Sequence, residues 1–100
     1  MRTEVEFVVF TGSLSSMTRK RAQALVTGVG WNVQYTVTKQ TTLLVVGSHQ
    51  TKLMDSLDQS RKKLTSLALQ REGQNIQFLS EKEFLGKIKQ CVEQLYQSCL

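Results

Sequence analysis

Val37-Thr38-Lys39-Gln40-Thr41-Thr42-Leu43-Leu44-Val45-Val46-Gly47 decides how this chain is read. A polar, threonine-rich approach gives way to an unbroken apolar run, and a glycine closes it. Leu43 to Val46 shows no polar alternation, which predicts a strand covered on both faces, as in a parallel sheet. Phe7-Val8-Val9-Phe10 has the same character and ends at the turn signal Thr11-Gly12-Ser13. These two runs read as neighbouring central strands.

The flanking sequence fills in the rest. Ser15 and Ser16 offer an N-cap for a helix from about Met17 to Thr27, with Met17, Ala22, Ala24 and Leu25 facing in. Gly28 and Gly30 stop it. Asn32 to Tyr35 reads as a short strand. Ser48 to Gln59 is polar and least regular, although Leu53, Met54 and Leu57 fit a helical turn. Ser60 can cap a helix carrying Leu64, Leu67, Ala68 and Leu69, which ends before Gly73. Ile76 to Leu79 reads as a fourth strand. Ser80 with Glu83 forms a capping box. The last helix then sets Phe84, Leu85, Ile88, Cys91, Val92, Leu95, Tyr96 and Cys99 at helical spacing. The order β-α-β-β-α-β-α favours a parallel sheet with helices on both faces.

At 100 residues the chain has the length of one domain. Its 40% hydrophobic and 21% charged content is ordinary for a globular domain and excludes a disordered tail. No apolar run approaches the ~20 residues of a membrane span. Met1-Arg2-Thr3-Glu4 is not followed by a signal-peptide core, so secretion is not expected. Cys91 and Cys99 on one helix stand about 12 Å apart along its axis, beyond the ~7 Å reach of a disulfide. They read as reduced thiols of a cytosolic protein. His49 is the single histidine. A metal site therefore has almost no ligands, and no spacing supports a Cys–His nucleophile pair. The expectation is a protein without catalytic residues, metal or cofactor.

The charge points to an anionic partner. Thirteen Lys and Arg against 8 Asp and Glu leave +5. Phe10-Thr11-Gly12-Ser13 leads from the carboxyl end of a central strand to a helix N-terminus, where free N–H groups and the helix dipole suit an anion. Thr11 adds a hydroxyl, Gly12 permits close approach, and Arg19 can fork onto phosphate oxygens. Lys20 and Arg21 follow. The competing reading is a turn glycine beside a solvated basic face. Neither a P-loop nor a dinucleotide fingerprint is present. A second basic run, Arg61-Lys62-Lys63, falls at the expected start of the middle helix, where cations oppose the dipole. A bound anion or plain solubility explains it.

Four stretches, taken in order and spacing, carry a resemblance. They are Phe7-Val8-Val9-Phe10-Thr11-Gly12 with Met17-Thr18-Arg19; Gly30-Trp31-Asn32-Val33; the threonine-rich stretch quoted first; and Gly73-Gln74-Asn75-Ile76-Gln77-Phe78-Leu79-Ser80-Glu81-Lys82-Glu83-Phe84-Leu85. From roughly Glu4 to Ile88 the chain resembles a BRCT domain, a phosphate- and partner-binding module of DNA repair and replication proteins. Its flavour is similar to bacterial examples in NAD-dependent DNA ligases and DnaQ-type exonucleases. Its first loop is similar to that of the replication factor C large subunit, which binds 5′-phosphorylated DNA ends.

The resemblance implies a three-layer α/β fold. A four-stranded parallel sheet of order 2-1-3-4 would have the first and last helices on one face and the middle helix on the other. Residues 1–88 would form the domain and residues 89–100 an extension of the last helix. The family's phosphate pocket maps onto Thr11 and Gly12, and the arginine that DNA-end-binding members add in the first helix falls on Arg19. The lysine that DNA-end-binding members use in the middle helix falls here on Thr65 or Ser66. Lys62 and Lys63 lie nearly one turn earlier, and they either substitute for it or leave a weaker pocket. Trp31 stands where the family usually has a small residue, as a packing plug or as an exposed anchor for a partner. Phe84 falls at a core position where the family often has Trp. The apolar stripe through Leu95 needs a cover: the first helix, a second copy, or the remainder of a parent protein.

The expected function is therefore a non-enzymatic module that recognises phosphate on DNA, at 5′-phosphorylated ends or along the backbone. The alternative is a protein-interaction or homodimerisation module, or an excised domain of a DNA ligase or exonuclease. The expected location is cytoplasmic, at the nucleoid, in a bacterium and nuclear in a eukaryote, with no membrane association.

Overall fold

Alternating side chains of two central strands sort the core into two layers. The computed structural model describes residues 5–47 and 53–99, with the backbone alone for 53–59. Its elements are β1 (Phe7–Thr11), α1 (Arg19–Gly28), β2 (Asn32–Gln34), β3 (Leu43–Val46), α2 (Leu53–Arg71), β4 (Gln77–Ser80) and α3 (Glu81–Ser98). All strand pairs are parallel, and the sheet order is β2-β1-β3-β4. This is the α/β topology that the resemblance implies.

On one face Val8, Phe10, Leu43, Val45 and Leu79 pack against Ala22 and Val26 of α1 and Phe84, Ile88 and Cys91 of α3. The Phe10 and Phe84 rings meet edge to face at 5.2 Å, a favoured aromatic geometry. On the other face Val9, Leu44 and Ile76 meet Leu69 of α2. Among the described residues this second layer is thin, and polar contacts reinforce it. Gln70 Nε2 donates to the Ile76 carbonyl at 2.5 Å. Ser66 is fully buried, and its hydroxyl donates to the Lys62 carbonyl at 2.9 Å.

The threonines of the opening stretch brace the turn into β3. The Thr38 amide donates to Thr41 Oγ1 at 2.8 Å, and Thr41 Oγ1 donates to Gln34 Oε1 at 2.6 Å. Gln74 Nε2 reaches the Thr38 and Thr41 carbonyls. Thr42 Oγ1 accepts from the Phe7 amide at 2.9 Å. The polar half of the motif satisfies buried backbone groups, and the apolar half fills both core layers.

Four expectations need correction. First, α2 starts at Leu53, so Arg61-Lys62-Lys63 lies in the helix interior and not at its N-terminus. The dipole argument for that basic run lapses. Second, Leu64 and Leu67 do not face in, being 67% and 46% exposed. The row toward the sheet is Lys62, Ser66, Leu69 and Gln70, also at helical spacing. Third, the cap of α1 is Thr18, whose side chain accepts from the Arg21 amide at 3.2 Å, and Ala24 faces solvent. The Ser15 and Ser16 amides instead donate to the Glu81 carboxylate, each at 2.8 Å. Fourth, Trp31 is buried in the α1–α3 core, with its amide on the Val26 carbonyl at 3.0 Å. It is a packing plug and not an exposed anchor.

The Ser80–Glu83 capping box forms as read. Cys91 is the last buried residue of α3, and Val92, Leu95 and Tyr96 are exposed. The first helix therefore does not cover this stripe. His49 and the side chains of Leu53, Met54 and Leu57 lie outside the described residues.

Candidate functional site

The carboxyl ends of β1 and β3 open toward the N-terminus of α1. Gly12 turns the chain there with φ at +75°, a left-handed conformation that glycine adopts without strain. The same turn sits tightly against the end of β3. A Cβ on Gly12 would stand 2.9 Å from the Gly47 carbonyl oxygen, and one on Gly47 would collide with the Ser13 backbone. The Gly47 amide donates to the Thr11 carbonyl at 2.7 Å. Both glycines are therefore required for this loop to approach β3.

Two cations reach the loop from different helices. Arg19, in the first turn of α1, donates from Nη2 to the Gly12 carbonyl at 2.6 Å. Lys62 of α2 donates from Nζ to the Phe10 carbonyl at 2.8 Å. Thr11 lies between those two carbonyls. Its side chain is fully buried, and its hydroxyl has no hydrogen-bond partner among the described residues. Such an orphan costs about 1–3 kcal/mol. From the next residue on, an open cleft of about 260 Å³ is lined by Gly12, Ser13, Leu14, Met17, Thr18 and Arg19.

The electrostatics favour an anion. The first turn of α1 carries no acidic residue, and Arg19, Lys20 and Arg21 crowd its positive end, which destabilises the isolated helix. On the far side of the loop Glu81 is occupied with structure. The Ser16 hydroxyl foremost, then the Ser15 amide, hold its carboxyl down at about 2. Burial pushes the Cys91 thiol up, so it stays protonated. Among the described residues no group of three or more His, Cys, Asp or Glu side chains is arranged to hold a metal. No helix among them is long and apolar enough to cross a membrane.

The BRCA1 C Terminus (BRCT) domain model matches residues 3–85. The chain belongs to the BRCT family. No curated protein matches it. As a BRCT domain it is a phosphate- or protein-binding module of the kind used in DNA repair and replication.

Within this BRCT domain Thr11, Gly12, Arg19 and Lys62 come together. Thr65 is exposed with its hydroxyl on the Arg61 carbonyl, and Ser66 is buried beneath α2. Neither reaches the loop. Lys62, about a turn earlier, does. Lys63 is turned about 100° around the helix from it, and no hydrogen bond among the described residues carries it to the loop. Leu95 lies on the exposed end of α3. Two local features went unread in the sequence. Glu81 bonds a loop 65 residues away, which no local capping rule reveals. Tyr35, just past β2, is 74% exposed beside the same sheet end. The signal for it is the implied 2-1 strand order, which sets the end of β2 beside the end of β1.

Proposed function

We propose that this BRCT domain binds phosphate groups on DNA, preferentially a 5′-terminal phosphate, and performs no turnover. One observation carries the reading: the Thr11 hydroxyl, without a partner among the described residues, is bracketed by the carbonyls that hold Arg19 and Lys62. A phosphate oxygen accepting from Thr11 relieves the orphan. Arg19 and Lys62 would meet an anionic oxygen in place of a neutral carbonyl, which adds ion pairing to bonds that are already charge-assisted. The net +5 favours nucleic acid over an acidic peptide. Lys63 adds to the field without touching the ligand. A module of this kind works where DNA is, at the nucleoid or in the nucleus.

The test is a titration of matched 5′-phosphorylated and 5′-hydroxyl duplexes across salt concentrations. The phosphorylated duplex should bind more tightly at moderate salt. Thr11→Ala and Arg19→Ala should remove the difference. Equal affinities for the two duplexes would sink the reading.

A second reading is association through α3, with another copy or with a protein partner. Val92, Leu95 and Tyr96, exposed to 51%, 54% and 65%, support it. Light scattering decides: a strict monomer unaltered by Leu95→Glu counts against self-association.

A further inference from the structure

Tyr35 follows β2 immediately, and Gln34 of β2 pairs with Val9 of β1. Tyr35 therefore leaves the sheet at the bend just past that pair, at the carboxyl end of β2. Its ring is 74% exposed. It borders a small open cleft of about 150 Å³, whose other walls are Thr36, Val37, Arg61, Lys62 and Thr65. Lys62 is common to this cleft and to the phosphate site, because its Nζ rests on the Phe10 carbonyl. An anion beside Thr11 and a flat ring on Tyr35 would thus flank one lysine.

We propose that this cleft receives the terminal base of a 5′-phosphorylated strand, with Tyr35 as its stacking platform. The inference rests on the phosphate reading above and names the ligand more closely: a nucleotide end whose base is unpaired. An exposed aromatic beside cations is the composition of single-strand grooves, where stacking tolerates any base. Arg61 lies at the cleft to meet the next backbone phosphate. The hydroxyls of Thr36 and Thr65 supply polar partners for a base edge; Thr65 donates to the Arg61 carbonyl and still has lone pairs to accept with. The cleft also lies outside the carboxyl ends of parallel strands, where α/β sheets hold ligands. At a blunt end the last base is paired and stacked inward. At a 5′ overhang it is free to lie on the Tyr35 ring.

Anisotropy titrations of the full chain test this with three 5′-overhang duplexes. One is 5′-phosphorylated, one is phosphorylated but lacks the terminal base, and one ends in a 5′-hydroxyl. The base should strengthen binding about tenfold. Tyr35→Ala should abolish that gain and Tyr35→Phe should retain it, both with the melting temperature of the parent. If the base and Tyr35→Ala make no difference while the 5′-phosphate still does, the stacking proposal is wrong and the phosphate site stands. If the 5′-phosphate makes no difference, both fail. Displacement of the DNA by a phosphothreonine peptide at lower concentration than by the matching phosphorylated oligonucleotide also overturns the proposal.

Discussion

Lys62 Nζ donates to the Phe10 carbonyl at 2.8 Å, linking α2 to the end of β1 across 52 positions of sequence. Its neighbour Lys63 has no such contact among the described residues. The two lysines should therefore differ. Lys62→Ala is expected to lower affinity for a 5′-phosphorylated end by about tenfold, the scale of one charge-assisted bond. Lys63→Ala should weaken phosphorylated and hydroxyl ends alike, through the salt-dependent field alone. Titrations at two salt concentrations separate the outcomes.

The glycine pair under the loop predicts a stability order. Gly47→Ala drives a Cβ into the Ser13 backbone, and Gly12→Ala combines a φ of +75° with the Gly47 carbonyl at 2.9 Å. Overpacking of this kind costs about 1–3 kcal/mol, and a left-handed alanine adds about 1–2 kcal/mol. Gly30 also has positive φ but opens onto empty space, so Gly30→Ala carries only the backbone cost. Urea midpoints should fall further for Gly12→Ala and Gly47→Ala than for Gly30→Ala.

Glu81 predicts an acid response. The Ser16 hydroxyl and the Ser15 amide lead in holding its carboxyl at about 2, below the ordinary 4.5. A depressed folded-state pKa gives stability that is full above the unfolded value and is lost as pH falls toward the folded one. Stability should therefore decline between about pH 5 and 2, by ~1 kcal/mol after solvent screening. Glu81→Gln should remove that part of the slope. A smaller slope remains, because the Ser80 amide also lowers Glu83. Thermal melts of both proteins across this range give the comparison.

Along α3 the same chemistry should have opposite consequences. Phe84 is fully buried against Phe10, so Phe84→Ala should cost about 3–5 kcal/mol. Leu95 is 54% exposed, so Leu95→Ala should stay within about 0.5 kcal/mol for the isolated chain. Chemical denaturation at low protein concentration measures both. A concentration-dependent loss for Leu95→Ala would mean that the stripe is covered by another copy.

Much of the fold was legible because its strands are unambiguous. Phe7 to Phe10 and Leu43 to Val46 are apolar on both faces, and only a doubly covered parallel sheet needs that. The Ser80–Glu83 box was legible because capping is local. The start of α2 and its inward face were not. Leu64 and Leu67 make the more apolar row, yet Lys62, Ser66 and Gln70 turn to the sheet to satisfy its carbonyls and their own polar atoms. Ser15 and Ser16 were misread as caps because their true acceptor, Glu81, lies on the last helix. At the candidate site Thr11, Gly12 and Arg19 are reached by a few residues of local chain. Lys62 against Lys63 was undecidable without the phase of α2.

The all-parallel sheet also sets the order in which this protein can be assembled. Val8 pairs with Val33 on one side and Leu43 on the other, and Leu43 in turn pairs with Gln77. Among the described strands no hairpin can form early, since each pairing waits for a crossover to close. High contact order slows folding. During synthesis β1 and β3 can meet well before β4 is made. Until residues 77–80 emerge, β3 presents a bare, wholly apolar edge, the kind of edge on which nascent chains aggregate.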